Sequence, residues 1–109
     1  MKKSLLIFLL LTNMSYAEIQ YDFKNADHKE DKNCIALFSL IRDGLADTGD
    51  KDNLIKFTNL QDKLILKYAY SKQLNNHADV YKSIWVNKAK NGQDLDLEMI
   101  KCISKAEGK

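Results

Sequence analysis

Apolar residues recur at three- and four-residue steps along most of this chain, a spacing that predicts helices. The first predicted helix runs from Asp27 to Asp43, where Cys34, Leu37, Phe38 and Ile41, with Leu45 just beyond, fall on one stripe. Asn25 or Asp27 caps its start, Glu30 and Asp31 occupy the first turn where the helix dipole favours acid, and Gly44 ends it. Asp47-Thr48-Gly49-Asp50 reads as a turn. A longer second helix is predicted over Lys51–Leu74. Leu54, Phe57, Leu60, Leu64 and Tyr68 form its main stripe, and Ile65, Leu66 and Tyr70 widen it. A helix apolar over so much of its circumference belongs at the centre of a fold, covered on two sides. Asn75-Asn76 breaks the pattern. The third helix then spans His77–Lys90 with Val80, Tyr81, Ile84 and Trp85 inward, and stops at Asn91-Gly92. The fourth begins at Asp94 or Asp96 and turns Leu95, Met99, Cys102, Ile103 and Ala106 inward. Ahead of these, Glu18–Lys24 alternates Ile19, Tyr21 and Phe23, a short extended arm too brief to support a sheet. Proline is absent throughout. The predicted architecture is an all-α antiparallel bundle of four helices, or five.

The first seventeen residues follow a different rule. Lys2 and Lys3 give a positive start, Leu5 to Leu11 are unbroken apolar residues, and Ser15-Tyr16-Ala17 ends with small residues flanking a larger one. That is the order of a cleaved export signal. The apolar run is far shorter than the ~20 residues a membrane-spanning helix needs. The reading is therefore a signal peptide at 1–17 and one helical domain at 18–109, released into the periplasm and not held at the membrane.

Removing Lys2 and Lys3 also changes the electrostatics. The whole chain carries 17 basic and 15 acidic residues; without those two lysines the domain is formally neutral. A neutral surface lacks the field that draws phosphate backbones or anionic lipid, so nucleic acid is disfavoured as a partner. An oxidising compartment allows Cys34 and Cys102, the two cysteines of the chain, to pair. Both fall on inner stripes, so their bridge joins the first helix to the last. Closing so long a loop stabilises the fold by ~4 kcal/mol on a chain-entropy basis.

Catalytic chemistry finds little to work with. His28 among Asp27, Lys29, Glu30 and Asp31 can be drawn as a metal site, yet only His28 and Asp31 share a helical face. The better reading is a solvated helix start, and His77 with Asp79 is read the same way. Ser39, Ser71, Ser83 and Ser104 have no partner histidine or lysine in a nucleophile motif. Neither a covalent-haem CxxCH nor a glycine-rich phosphate loop occurs, and Met99 alone does not make a haem ligand. The expectation is a binding protein, not an enzyme, with no cofactor and no metal. Tyr68, Tyr70, Tyr81 and Trp85 sit at core spacing. The polar stretch Ser71–His77 is read as a loop between helices, with Gln73, Asn75, Asn76 and His77 as the partner-binding residues.

Two short motifs, Asn33-Cys34-Ile35-Ala36 in the first helix and Met99-Ile100-Lys101-Cys102-Ile103 in the last, resemble the type VI secretion amidase immunity proteins, their fourth subfamily above all. The resemblance implies a small helical periplasmic protein, acting as a dimer, that plugs the catalytic groove of an effector amidase. That effector is a cysteine hydrolase which cuts peptidoglycan stems. The family supplies no inhibitory motif that carries onto numbered positions here. Two rival readings remain open: a periplasmic acid-stress chaperone, also a tiny helical domain with one disulfide, and an assembly factor of an envelope machine.

Overall fold

The computed structural model describes residues 19–109; the predicted export segment lies outside them. Five helical pieces follow in order: α1 (Ala26–Thr48), α2 (Lys51–Ile65), α3 (Ser71–Val80), α4 (Lys82–Lys90) and α5 (Asp96–Ala106). α3 and α4 meet at Tyr81, which keeps right-handed helical angles, so the two read as one interrupted helix and the bundle as four. Among the described residues the fold is all-α, with one isolated parallel bridge, Ile19 to Tyr68, fastening the extended arm to the bundle.

The central helix is α1, not the second helix as its broad apolar stripe predicts. α1 packs against each of the other four, and Ile35, Ala36, Leu37 and Phe38 are buried all the way round it. Helix α2 leaves Ile55 in solvent, as does the chain at Leu66 just past its end. α1 also passes through Gly44 and ends at Gly49, whose left-handed angles (φ 76°, ψ 18°) let its N–H return to Ala46. Asn25 starts the helix by accepting from the N–H groups of Asp27 and His28. Continuing past Gly44 keeps Leu45 packed against the core, which outweighs one interior glycine at ~1 kcal/mol.

The second predicted helix is divided. Its regular hydrogen bonding stops at Ile65, and Leu66–Tyr70 form a tight junction before α3. Unwinding there turns Tyr68 into the core and frees Ala69 N–H to donate to Ile19 O at 2.7 Å. The predicted break at Asn75-Asn76 does not exist, and Ser71–His77 is not a loop. All seven residues lie in α3, where Leu74 and Ala78, four apart, carry the buried face and the polar residues take the rest.

The sulfurs of Cys34 and Cys102 are bonded, with the two Cα atoms 5.3 Å apart. The bridge joins the first helix to the last, as the two stripes predict. It ties α5, which otherwise packs on α1 and α2, to the middle of the central helix.

Candidate binding groove

The arm at residues 19–25 lies as a strap over the ends of α1, the α2–α3 junction and α3. Asp22 N–H donates to His28 Nδ1 at 2.9 Å, and the Tyr21 ring packs against Phe23, His28 and Tyr68 at centroid distances of 4.9, 5.8 and 5.8 Å. Phe23 meets the His77 edge at 5.5 Å, and His77 meets Tyr81 at 5.3 Å. Both histidines of the chain therefore belong to one aromatic cluster that pins the strap. Lys32 is buried at its centre. Its ammonium stands 4.0 Å from the Tyr81 centroid and 5.5 Å from those of Tyr21 and Phe23, a cation–π cage.

Beneath the cluster, Asp31 is fully buried. Tyr68 Oη donates to its Oδ2, Lys67 Nζ is 3.6 Å from the same oxygen, and Lys105 Nζ stands 3.3 Å from Oδ1 at ion-pair distance without forming a hydrogen bond. Burial, then the bond to the Asp31 carboxylate, push the Tyr68 phenol far above its usual 10.0. Burial also raises Tyr21, helped by the nearby Tyr81 and Asp31 charges. Burial alone would lower Lys105, but its hydrogen bond to Asp27 and the Asp31 charge outweigh that and raise it. The same Lys105 bond lowers Asp27. The solvated helix start inferred for residues 27–31 is thus half right. Asp27 is exposed, whereas Asp31 holds a buried polar centre and His28 is wedged between two tyrosines.

Between strap and α3 runs an open groove of about 350 Å³, walled by Gln20, Tyr21 and Phe23 on one side and by Ala69, Tyr70, Gln73, Leu74 and His77 on the other. Tyr70 commands its rim. It is the one non-glycine residue among those described with a positive φ (58°), and its side chain is 69% exposed. Phe23 is 59% exposed beside it. Of the four residues predicted to touch a partner, Gln73 and His77 line this groove. Asn75 faces a second, polar pocket with Ser39, Arg42, Asp79 and Lys82, and Asn76 stands in solvent. One helical turn separates Gln73 from His77, whereas Asn75 and Asn76 project elsewhere.

The remaining candidates serve the core. Trp85 is buried and donates from Nε1 to Asn33 O at 3.0 Å. Ser39 links Gln61 to Asp79, and Gln61 accepts from Arg42 Nη1 while donating to Ile35 O and Ser39 Oγ, each at 2.8 Å. Met99 packs half-buried against the core. Periodicity missed Asp31 and Lys32, polar residues on a helix that its neighbours bury on every side, and Gln61, a polar residue on the inner face of α2. The strap aromatics Tyr21 and Phe23 left a signal in their alternation, but nothing in it named the lysine they cover. Comparison with known proteins finds no family model, no curated protein and no solved structure that matches this chain.

Proposed function

We propose that this chain is a periplasmic immunity protein, which binds and inhibits a peptidoglycan amidase of the cysteine-hydrolase class through the groove between the strap and α3. The observation that carries the binding reading is Tyr70. Left-handed angles cost a non-glycine residue about 1 kcal/mol, and here they hold an aromatic ring in solvent at a groove rim. The left-handed backbone closes the α2–α3 junction, a task glycine performs without strain. The solvated ring adds nothing to the fold, but a partner surface gains from it, since tyrosine is enriched among the few residues that dominate interface energy. Phe23 and His77 extend the apolar contact, and Gln73 offers an amide at its edge. The amidase as partner rests on the two cysteine motifs in α1 and α5.

The test is a titration of a cysteine-histidine amidase with the purified domain. Inhibition is expected, with loss of at least tenfold in affinity for Tyr70→Ala and for the pair Gln73→Ala and His77→Ala. Asn75→Ala and Asn76→Ala should leave affinity unchanged. Tyr70→Gly is the sharper variant: it relieves the backbone and should raise the melting temperature while weakening binding. Unaltered affinity in all of these rejects the groove, and absence of inhibition rejects the amidase.

The chaperone reading has one observation in its favour, the Asp31 carboxylate buried against Tyr68, Lys67 and Lys105. Lys105 also bonds Asp27 and holds that carboxyl below its usual 3.8, so acid that protonates Asp27 removes one of the lysine's partners. Reversible binding of a hydrophobic dye as pH falls from about 7 to 2, with helicity retained, would favour it over the inhibitor.

A further inference from the structure

The groove is not built from the bundle alone. One of its walls is the strap, so the groove exists only while residues 19–24 are docked. Beyond the ring contacts of Tyr21 and Phe23 with His28, Tyr68, His77 and Lys32, what docks them is slight. Ala69 N–H donates to Ile19 O at 2.7 Å and Asp22 N–H to His28 Nδ1 at 2.9 Å. Ile19 and Phe23 remain more than half exposed. Tyr21 is the anchor, and it is badly seated: its hydroxyl is buried with no hydrogen-bond partner. A tyrosine selected only for a snug fit would satisfy that hydroxyl or lack it. Lys32 sits behind the anchor, desolvated among three rings and, among the described residues, with no carboxylate in ion-pair contact. When the strap lifts, the Tyr21 hydroxyl and the Lys32 ammonium both regain water. Lys32 meanwhile keeps its nearest ring, Tyr81, which belongs to the bundle and not to the strap.

From this we infer that residues 19–24 are a latch. They open and close over the bundle as a unit, without unfolding it, and closure assembles the binding groove. The latch regulates the groove read above as the contact face; its purpose rests on that reading, but its test does not. A partner that needs both walls binds only the closed form, so its apparent affinity is reduced by the fraction of time the latch is open. The frustrated Tyr21 hydroxyl sets that fraction.

Native-state amide exchange on the protein alone decides the matter. Ala69 and Asp22 amides report the latch, and Leu37 and Phe38 amides report the core. The expectation is that the two latch amides exchange at a shared opening rate, at least a hundredfold faster than the core amides. Tyr21→Phe deletes the orphan hydroxyl and keeps the ring, so it should slow both latch amides about tenfold and leave the core untouched. Latch amides as slow as the core, latch amides with no protection at all, or a Tyr21→Phe variant that exchanges as fast as wild type or faster would each overturn the latch. Because no partner is present, a failed Tyr70 titration would leave this result standing, and the reverse holds as well.

Discussion

Breaking the Cys34–Cys102 bond releases a crosslink between positions 68 apart in sequence. On the chain-entropy relation a loop of that length restricts the unfolded chain by about 4 kcal/mol at room temperature. A domain of about ninety residues has roughly 5–14 kcal/mol of stability in all, so the bridge supplies a large share of it. The structure adds where the loss is felt first. Only Cys102 and Ala106 of α5 are fully buried, Met99 and Ile103 are half-buried, and Leu97 and Ile100 point into solvent. α1 by contrast buries eight residues in its middle turns. Without the bridge α5, with two buried residues, has far less to lose on leaving than α1.

Two preparations isolate the effect. Reduction leaves both thiols in place and opens no cavity, whereas Cys34→Ala with Cys102→Ala also removes two sulfurs from the core. Thermal unfolding followed by circular dichroism should show the midpoint lowered by about 15–30 °C on reduction, and slightly more in the alanine pair. Amide exchange on the reduced protein should show α5 amides losing protection well before those of Ile35–Phe38. A midpoint lowered by less than about 5 °C would refute the entropic reasoning. α1 and α5 exchanging at one common rate would refute the claim that α5 is the weakly held helix.

Further expectations follow from single sites. Tyr68→Phe removes the donor to a buried carboxylate and should cost on the order of 1–3 kcal/mol in a urea titration; no loss would mean the Asp31–Tyr68 bond is not a support. The two glycines of α1 should respond oppositely to alanine. Gly44→Ala, inside the helix with nothing within 4 Å of the added carbon, should stabilise by up to ~1 kcal/mol, whereas Gly49→Ala, at φ +76°, should destabilise by about the same. The same sign for both would place the helix end wrongly. The phenol of Tyr68 and the ammonium of Lys105 titrate higher in the fold than their usual 10.0 and 10.5. Their contribution is therefore complete below about pH 10 and fades as pH climbs past it. The urea midpoint should hold up to about pH 10 and fall as pH rises above it, and Tyr68→Phe should flatten that limb. Asp27 is lowered from 3.8, so its contribution holds above that value and is lost as pH drops further. Asp27 is solvent-exposed, so added salt should erase this acid limb.

Local chemistry made most of the bundle legible in the sequence. The stripe through Cys34, Leu37 and Phe38 and the one through Met99, Cys102 and Ala106 could each be read alone, and their cysteines named the pair that joins them. Asn25 marks a helix start by its side-chain acceptor, and such a signal lies within a few positions of what it controls. The misplacements share a cause of the opposite kind. Gly44 has the chemistry of a helix end, and Asn75-Asn76 that of a break, but each is overridden by packing partners distant in sequence. For Gly44 the override comes from Leu45 on the core, and for the asparagines from Leu74 and Ala78 against α1. The α2–α3 junction is the reverse case. Nothing in Leu66-Lys67-Tyr68-Ala69-Tyr70 breaks a helix locally, and the chain unwinds there because Asp31, remote in sequence, binds Tyr68 better than a continuing helix would, which leaves the Ala69 N–H free to meet Ile19.

That reversal also explains why the candidate site was misread as a loop. A polar stretch between two apolar stripes looks like a connection when the helices on either side are assumed continuous. Once the helix ends instead at Ile65, the same stretch becomes the first turns of α3, and its residues sort by angle around an axis. Gln73 and His77 then fall on the groove side with the strap, and Asn75 and Asn76 fall away from it. The exposed left-handed tyrosine is a direct product of the unwinding, since Tyr70 closes the junction that Tyr68 opens. The buried carboxylate on α1 and the solvated ring at the groove rim are thus two ends of one five-residue segment. A change at Asp31 that lets α2 continue should straighten the junction, return Tyr70 to right-handed angles and take its ring from the rim. Asp31→Leu, which removes the charge and the acceptor together, is the variant in which loss of partner binding with helicity kept or raised would establish that link. Full binding in that variant would break it.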